Sequence, residues 1–437
     1  MELKGILVFN GKPVRVSIEG TKISAVEEIS PEKLSPEEIP QAVLSQAEKT
    51  PKEAPRAGLP FISPGFLDLQ VNGFNGIDYS LDDLKAEQIE SLVIRLAQSG
   101  TTRHAATFVT MPNERLLRNL SLVAETMEKD TRVKAGIAGF HIEGPFISSE
   151  DGPRGAHDKQ YTRLPDFSLF EEWQRAARGN IKLITIAPEL PGAAGFIRAA
   201  AKTGVRVSIG HTAAAPEHIE EAIEAGAVCS THLGNGSHAQ LPRLKNYIWE
   251  QMAADSLWAG IICDGFHLPG SVVKTISRAK GPDRLFMVSD AALLGGYAPG
   301  FYKWGNLDVE VFADGHLGMA GTSALAGAAH LLDWDIVRYM EFTGASLKEA
   351  VTLCTIQPAR FLGLESTNQQ LSNQRLTNQQ LSNQRLANRR FDEYAALSPG
   401  NSANLTTFFY APGDKQLRIQ QTIINGQTVF AINNQSV

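Results

Sequence analysis

Eight short apolar, β-rich runs alternate with helix-like stretches between residues 61 and 292, and this rhythm constrains the fold more than any other feature of the chain. The runs are FISPGFLDLQV (61–71), TTRHAATFVT (101–110), KAGIAGFHIEG (134–144) and IKLITIAPE (181–189), then VRVSIGHT (205–212), AVCSTHLGN (227–235), WAGIICDGF (258–266) and RLFMVSDAA (284–292). Between them lie amphipathic stretches such as DLKAEQIESLVIRLAQSG and PEHIEEAIEAG, each closing on a glycine suited to a helix C-terminus. Strand-then-helix alternation implies a parallel sheet with helices packed outside it. Eight repeats predict a closed (β/α)8 TIM-type barrel. An open doubly wound sheet would carry a GxGxxG turn after its first strand, and none is present.

The flanks of the barrel read differently. Residues 3–29 look like short strands with turns, and a polar, Pro- and Glu-rich stretch follows over about residues 30–58. After the eighth run come two helical segments, LAGAAHLLDWDIVRYMEFTG and SLKEAVTLCTIQPARFLGL. The unit TNQQLSNQRL then occurs twice in tandem, at 367–376 and 377–386. Its ten-residue period fits no solenoid repeat, and its Asn/Gln content leaves little to bury. Strand-like sequence returns in SANLTTFFYA and QTIINGQTVFA. The expected organisation is a small β-sandwich-like domain built from 1–60 and 391–437, a barrel over 61–365, and a low-complexity insertion at 366–390.

Composition excludes several function classes. A formal net charge of −6 without a long basic run argues against nucleic acid or an anionic membrane as partner. Three widely spaced cysteines without a CxxC pair fit neither a disulfide framework nor a thiolate zinc site, and they suit a reducing compartment. MELKGILVFNGKPV has no apolar stretch of signal-peptide length, and no run approaches the ~20 apolar residues of a membrane span. A cytoplasmic protein is expected.

Chemistry in a barrel of this kind sits at the C-terminal ends of the strands. The first run ends in Asp68, Gln70 and Asn72, the third in His141 and Glu143, and the fifth in His211. The sixth ends in His232, the seventh in Asp264 and His267, and the eighth in Asp290. Glu143, His211 and His232 form a three-ligand set for a divalent metal with one position open to water. Such a metal brings the pKa of water from about 16 to about 7. Amide hydrolysis also needs a group that takes the water's proton and returns it to the leaving amine, and Asp290 is placed for that. Singly, a strand-end histidine is more often a satisfied polar group, and a lone carboxylate can cap the next helix. Four such residues on four strands of one barrel favour the metal site. His104, His218, His316 and His330 read as ordinary polar residues, whereas His141 alternates with Glu143 and faces the same side.

The segments FHIEGPF (140–146), PRGAHD (153–158), GHT (210–212), THLGN (231–235), CDGFHLP (263–269) and VSDA (288–291) resemble the N-acetylglucosamine-6-phosphate deacetylases of the amidohydrolase superfamily. QPARFLGL and SPGNSANL extend the likeness. The resemblance implies hydrolysis of an N-acetyl group from an amino-sugar phosphate by a homodimer whose subunits help close each other's sites. It assigns Glu143, His211 and His232 to one divalent ion, zinc ahead of iron, cobalt or manganese, and Asp290 to acid–base catalysis. Ala156, His157, Asn235 and Gly236 would contact the substrate, with His157 polarising the acetyl carbonyl. Arg243 and His267 would take the phosphate, and Met319, Ala320 and Gly321 would line the sugar pocket. Gln70 and Asn72 stand where many amidohydrolases carry a metal-binding HxH, which implies a single metal. Gly234, Gly236 and Ser237 replace a bulky residue and an Ala-Met pair, and are expected to widen the pocket or change its grip on the sugar. A related amidohydrolase acting on another N-acetylated sugar phosphate or a cyclic amide, and a catalytically silent barrel, remain as alternatives.

Overall fold

The computed structural model describes residues 1–35, 58–305, 307–322, 325–364 and 395–432. From the N-terminus the strands are β1 (Glu2–Leu7), β2 (Pro13–Glu19), β3 (Lys22–Glu28), β4 (Phe61–Pro64) and β5 (Phe66–Val71), followed by a short ladder of β6 (Gly73–Phe74) and β7 (Ile77–Asp78). Next come β8 (Thr101–Val109), β9 (Ile137–Glu143), β10 (Ile181–Ile186), β11 (Arg206–Ile209), β12 (Ala227–Ser230), β13 (Trp258–Ile261) and β14 (Leu285–Met287). A three-stranded antiparallel unit, β15 (Gly300–Trp304), β16 (Leu307–Val311) and β17 (Leu317–Met319), precedes β18 (Leu405–Phe409), β19 (Arg418–Ile424) and β20 (Gln427–Ala431).

Strand β5 and strands β8 to β14 form the eight parallel staves of the barrel, in chain order around the sheet. The ring closes where Val71 bridges Ala291 and the Asp290 amide donates to the Gln70 carbonyl at 3.0 Å. All eight apolar runs contain a barrel strand. The first run divides, however: Phe61–Pro64 pairs with β1 and β18 in the small sheet, and only Phe66–Val71 enters the barrel. The break falls at Gly65, where a Cβ would lie 2.0 Å from the Thr102 methyl. Only glycine lets the two sheets approach so closely there.

Both chain ends build the second sheet, in the order β20-β19-β18-β4-β1-β2-β3. It curls back on itself, since the Ile23 amide donates to Asn401 and the Ala403 amide to Thr21. The tandem repeat and the expected boundaries on either side of it lie outside the described residues. No helix among those described is long and apolar enough to cross a membrane.

Alternation along the barrel strands sorts side chains into layers. Leu67, Leu183, Cys229, Trp258 and Phe286 fill the lower interior, plugged by Phe361 from the helix Ile356–Leu362. Two residues beyond Leu183, Thr185 points the same way and meets His141 Nε2 (2.8 Å) and Thr231 (2.7 Å), which in turn donates to Ser208 (2.6 Å). A hydrogen-bonded layer therefore rests on the apolar plug and supports the residues at the strand ends. Outside, the helix Ala86–Ala97 buries Ile89, Leu92, Val93 and Leu96 against the barrel wall.

His104 is buried within β8, its Nε2 against the Tyr79 hydroxyl at 2.7 Å. Burial pushes its pKa down to about 3 from 6.5. The unfolded chain then binds one more proton than the folded chain below pH 6.5. Stability from this group is full above that pH and declines as pH falls towards about 3, by ~2 kcal/mol at pH 5. Urea unfolding of wild type and His104→Gln at pH 7 and pH 5 should show a smaller acid loss in the variant. Equal losses would contradict the linkage.

Candidate active site

Four polar residues predicted from the strand ends converge at the C-terminal mouth of the barrel. Glu143 is the last residue of β9, His211 and His232 follow β11 and β12 by two residues, and Asp290 follows β14 by three. His211 (φ 51°), His232 (φ 27°) and Asp290 (φ 51°) are three of only six non-glycine residues with left-handed backbone among those described. Such conformations cost about 1–3 kcal/mol each and persist only where the surroundings over-determine them. Their concentration here marks the site independently of any side chain.

Glu143 Oε1 lies 2.9 Å from His232 Nε2, 3.1 Å from His211 Nε2 and 2.9 Å from the Gln70 amide nitrogen. The two imidazole Nε2 atoms are 3.1 Å apart. His157 Nε2 also approaches His211 Nε2, at 3.2 Å. Glu143, His157 and His211 therefore make a second candidate ligand set, with ligand atoms within 4.8 Å of one another.

Tautomers decide between His157 and His232. His211 Nδ1 faces the Pro153 carbonyl at 2.9 Å, and a carbonyl only accepts, so this ring carries its proton on Nδ1 and a bare lone pair on Nε2. His157 Nδ1 instead receives the Thr110 amide N–H (3.4 Å) and lies 2.8 Å from the Thr110 hydroxyl, which puts its proton on Nε2. His157 Nε2 thus presents an N–H, whereas His211 Nε2 presents a lone pair that could bind a metal.

The His211 Nε2 lone pair and the Glu143 oxygen repel one another at 3.1 Å unless positive charge lies between them, and His232 Nε2 faces the same point. A divalent ion satisfies all three at once, and the separations approach the ~3.3 Å edges of a tetrahedral site with bonds of ~2.05 Å. The donor set fits a single such ion. Burial alone would push the Glu143 carboxyl up, but its contacts with His211 and His232 hold it well below the usual range. Burial also lowers His157 to about 3, so it works as a neutral ring.

Gln70 and Asn72 have a duty that their sequence positions did not reveal. The Gln70 amide donates to both Glu143 Oε1 and Asp290 Oδ1 (2.9 Å each), and Asn72 donates to Asp290 Oδ1 at 2.8 Å. They hold the two carboxylates side by side. Burial, then the charge of Glu143, push Asp290 up to about 6. Thr110 and Pro153, which orient the histidines, were likewise invisible in the sequence because they act through backbone groups and one hydroxyl.

The remaining predicted residues lie around this cluster with different degrees of engagement. His267 Nδ1 pairs with Asp264 Oδ2 at 2.7 Å, and its charge reaches Asp290. Asn235 folds back onto the His232 carbonyl (3.2 Å), and Ala156 is exposed on the loop that carries His157. Arg243 is exposed on the segment before the helix Tyr247–Ala253 and is not drawn into the cluster of a single chain. Met319 ends β17 and packs with the hairpin's own apolar residues, Ala320 donates to Asp308, and Gly321 is exposed. A second Ala-Gly pair, Ala326–Gly327, runs beside the end of the eighth strand, where Ala328 bridges Ala291. Its repetition of the Ala320–Gly321 pattern was the available signal. Gly234 and Gly236 are explained by backbone and packing rather than by pocket width: their φ angles are +99° and +55°, and a Cβ on Gly236 would lie 2.7 Å from His211 Nδ1.

A parallel barrel with a Glu-His-His cluster and a neighbouring aspartate at its mouth defines an amidohydrolase-type hydrolase. The Amidohydrolase family model matches residues 61–371. N-acetylglucosamine-6-phosphate deacetylase of Mus musculus is 32% identical over 342 residues, covering 76% of this chain and 82% of the mouse protein. The Bacillus subtilis protein of the same name is 29% identical over 303 residues, covering 69% of this chain and 75% of that protein. Among solved structures, a variant N-acetyl-D-glucosamine-6-phosphate deacetylase from Mycobacterium smegmatis in complex with N-acetyl-D-glucosamine-6-phosphate superposes with a TM-score of 0.76 at 25% identity, covering 98% of this chain and 99% of that one. The chain belongs to the N-acetylglucosamine-6-phosphate deacetylase family of amidohydrolases.

Gly236→Ala should press on His211 and weaken divalent-ion affinity on the order of 10- to 100-fold. Gly195→Ala, where a Cβ meets open space, is the control. Competition with a chelator measures both, and unchanged affinity in Gly236→Ala would refute the packing argument.

Proposed function

We propose that this chain removes the acetyl group of N-acetylglucosamine-6-phosphate, giving acetate and glucosamine-6-phosphate. The convergence of Glu143 Oε1, His211 Nε2 and His232 Nε2 beside Asp290 carries this reading. Those three residues would hold one divalent ion, zinc in the first instance given two imidazoles and a carboxylate. When bound, the ion supplies Lewis acidity, polarising an acyl oxygen and making water a nucleophile near neutral pH.

The protein's own groups do the rest. Gln70 and Asn72 both occupy Asp290 Oδ1, which leaves Oδ2 to take a proton from water and return it to the departing nitrogen. His157 donates a hydrogen bond from its Nε2–H to the acetyl oxygen, where negative charge develops. Asp264 fixes the His267 ring and balances the charge that an anion at Nε2 calls for. Ala156, Asn235 and Gly236 border the sugar, and the Met319–Gly321 segment closes that side together with Ala326–Gly327.

Arg243 reaches a phosphate more readily in a dimer, supplied to the neighbouring copy's site. Leu244 and Trp249 beside it are 76% and 48% exposed, which supports covering of this segment by a second subunit. The three cysteines are buried and free, in keeping with a cytoplasmic enzyme.

Asp290→Asn should keep one bound metal per chain and lose at least ~10²-fold in kcat. Turnover near wild type would remove Asp290 from the mechanism. Unphosphorylated N-acetylglucosamine should be a poorer substrate by about 100-fold in kcat/KM, because the buried Asp264–His267 pair then lacks its anion. Equal kcat/KM for the two sugars would point to another acylated substrate.

A further inference from the structure

Two histidines outside the cluster, His316 and His330, belong to a continuous stack of planar groups. Phe312 and His316 have ring centroids 4.1 Å apart at 4°, and His316 and Phe266 4.6 Å apart at 22°. Phe266 and His330 follow at 5.8 Å and 14°, then His330 and Trp334 at 4.1 Å and 10°. The Arg338 guanidinium closes the far end 4.9 Å over Trp334. The rings come from the turn between β16 and β17, the loop after β13, and the start of the helix Leu332–Thr343.

All five rings are only half-buried, so filling a core does not account for their parallel arrangement. Hydrogen bonds fix the register instead. His316 Nδ1 meets Asp314 Oδ1 at 2.5 Å, and Trp334 Nε1 donates to the Asp264 carbonyl at 3.0 Å. The middle ring, Phe266, directly precedes His267. Asp264 Oδ1 accepts the backbone N–H groups of Phe266 (2.8 Å) and His267 (2.9 Å), while Oδ2 meets His267 Nδ1 at 2.7 Å. The loop from Asp264 to His267 is thereby held at its start by Trp334, at its centre by two flanking rings, and at its end by a carboxylate. Offset stacking adds attraction beyond area burial, and a group fixed before binding loses less freedom when substrate arrives.

We propose that Phe266 is a positioning residue, clamped between His316 and His330 so that docking of the β15–β17 unit sets His267 for the anionic end of the substrate. The proposal rests on the assignment of His267 to the phosphate.

Steady-state kinetics of wild type, His267→Gln, Phe266→Ala, His316→Ala and His316→Phe, with phosphorylated and unphosphorylated N-acetylglucosamine, tests it. Phe266→Ala and His316→Ala should raise KM for the phosphorylated sugar about tenfold, or ~1.4 kcal/mol, with kcat within about twofold. His316→Phe keeps a stacking face and should stay within about twofold of wild type in KM. For the unphosphorylated sugar, kcat/KM should not change in the stack variants. A KM near wild type in Phe266→Ala and His316→Ala, with KM raised in His267→Gln, overturns the stack's role and leaves the phosphate assignment standing. An unchanged KM in His267→Gln overturns that assignment and the proposal with it. An equal loss in His316→Phe and His316→Ala also counts against stacking. Phe266→Leu, which keeps apolar volume without a flat ring, takes the place of Phe266→Ala should the latter not fold.

Discussion

The Glu143 carboxylate, buried at the end of β9, is the group on which the rest of the site depends. A carboxylate so far from water is costly unless paired and hydrogen-bonded, and removing one partner of such a set leaves an uncompensated charge. Oxygen Oε1 of Glu143 is met by His211, His232 and Gln70 together. Each comes from a different strand end, so the barrel must close in the correct register before these groups meet around the oxygen. The left-handed turns at His211, His232 and Asp290 bring these side chains inward, and hydrogen bonds link His141, Thr185, Thr231 and Ser208 in the layer beneath them.

Positioning extends outward from that oxygen in steps. Pro153 and Thr110 assign opposite tautomers to His211 and His157, so that one presents a lone pair at Nε2 and the other an N–H. Gln70 ties Glu143 to Asp290, so the two carboxylates share one amide. An amide at position 70 makes this bridge directly, through one nitrogen. A histidine there would trade a bridge between two carboxylates for a further ligand.

Much of this was legible in the sequence because it is periodic or chemically conspicuous. Eight β/α runs specify a barrel, and Glu143, His211, His232 and Asp290 stand out as ionisable residues ending apolar strands. What escaped was carried by unremarkable residue types or by three-dimensional proximity. Phe61–Pro64 looks continuous with the first barrel strand, and only the approach of Thr102 to Gly65 reveals that the chain changes sheet there. Gly236 resembles a loss of side-chain contact until His211 is found packed on it. His316 and His330 resemble surface histidines until Phe266 is found between them. Arg243 belongs to a different case, since a single chain leaves it exposed and its partner would have to come from elsewhere.

The central claim is that one cation is held by Glu143, His211 and His232, with His157 left free to donate. Crystals of the protein grown with zinc and measured on both sides of the zinc absorption edge test this most directly. The account predicts one anomalous peak per chain, within about 2.0–2.2 Å of a Glu143 oxygen and of both His211 Nε2 and His232 Nε2, and farther from His157. A peak ligated by His157 in place of His232, or two peaks at the site, would contradict it.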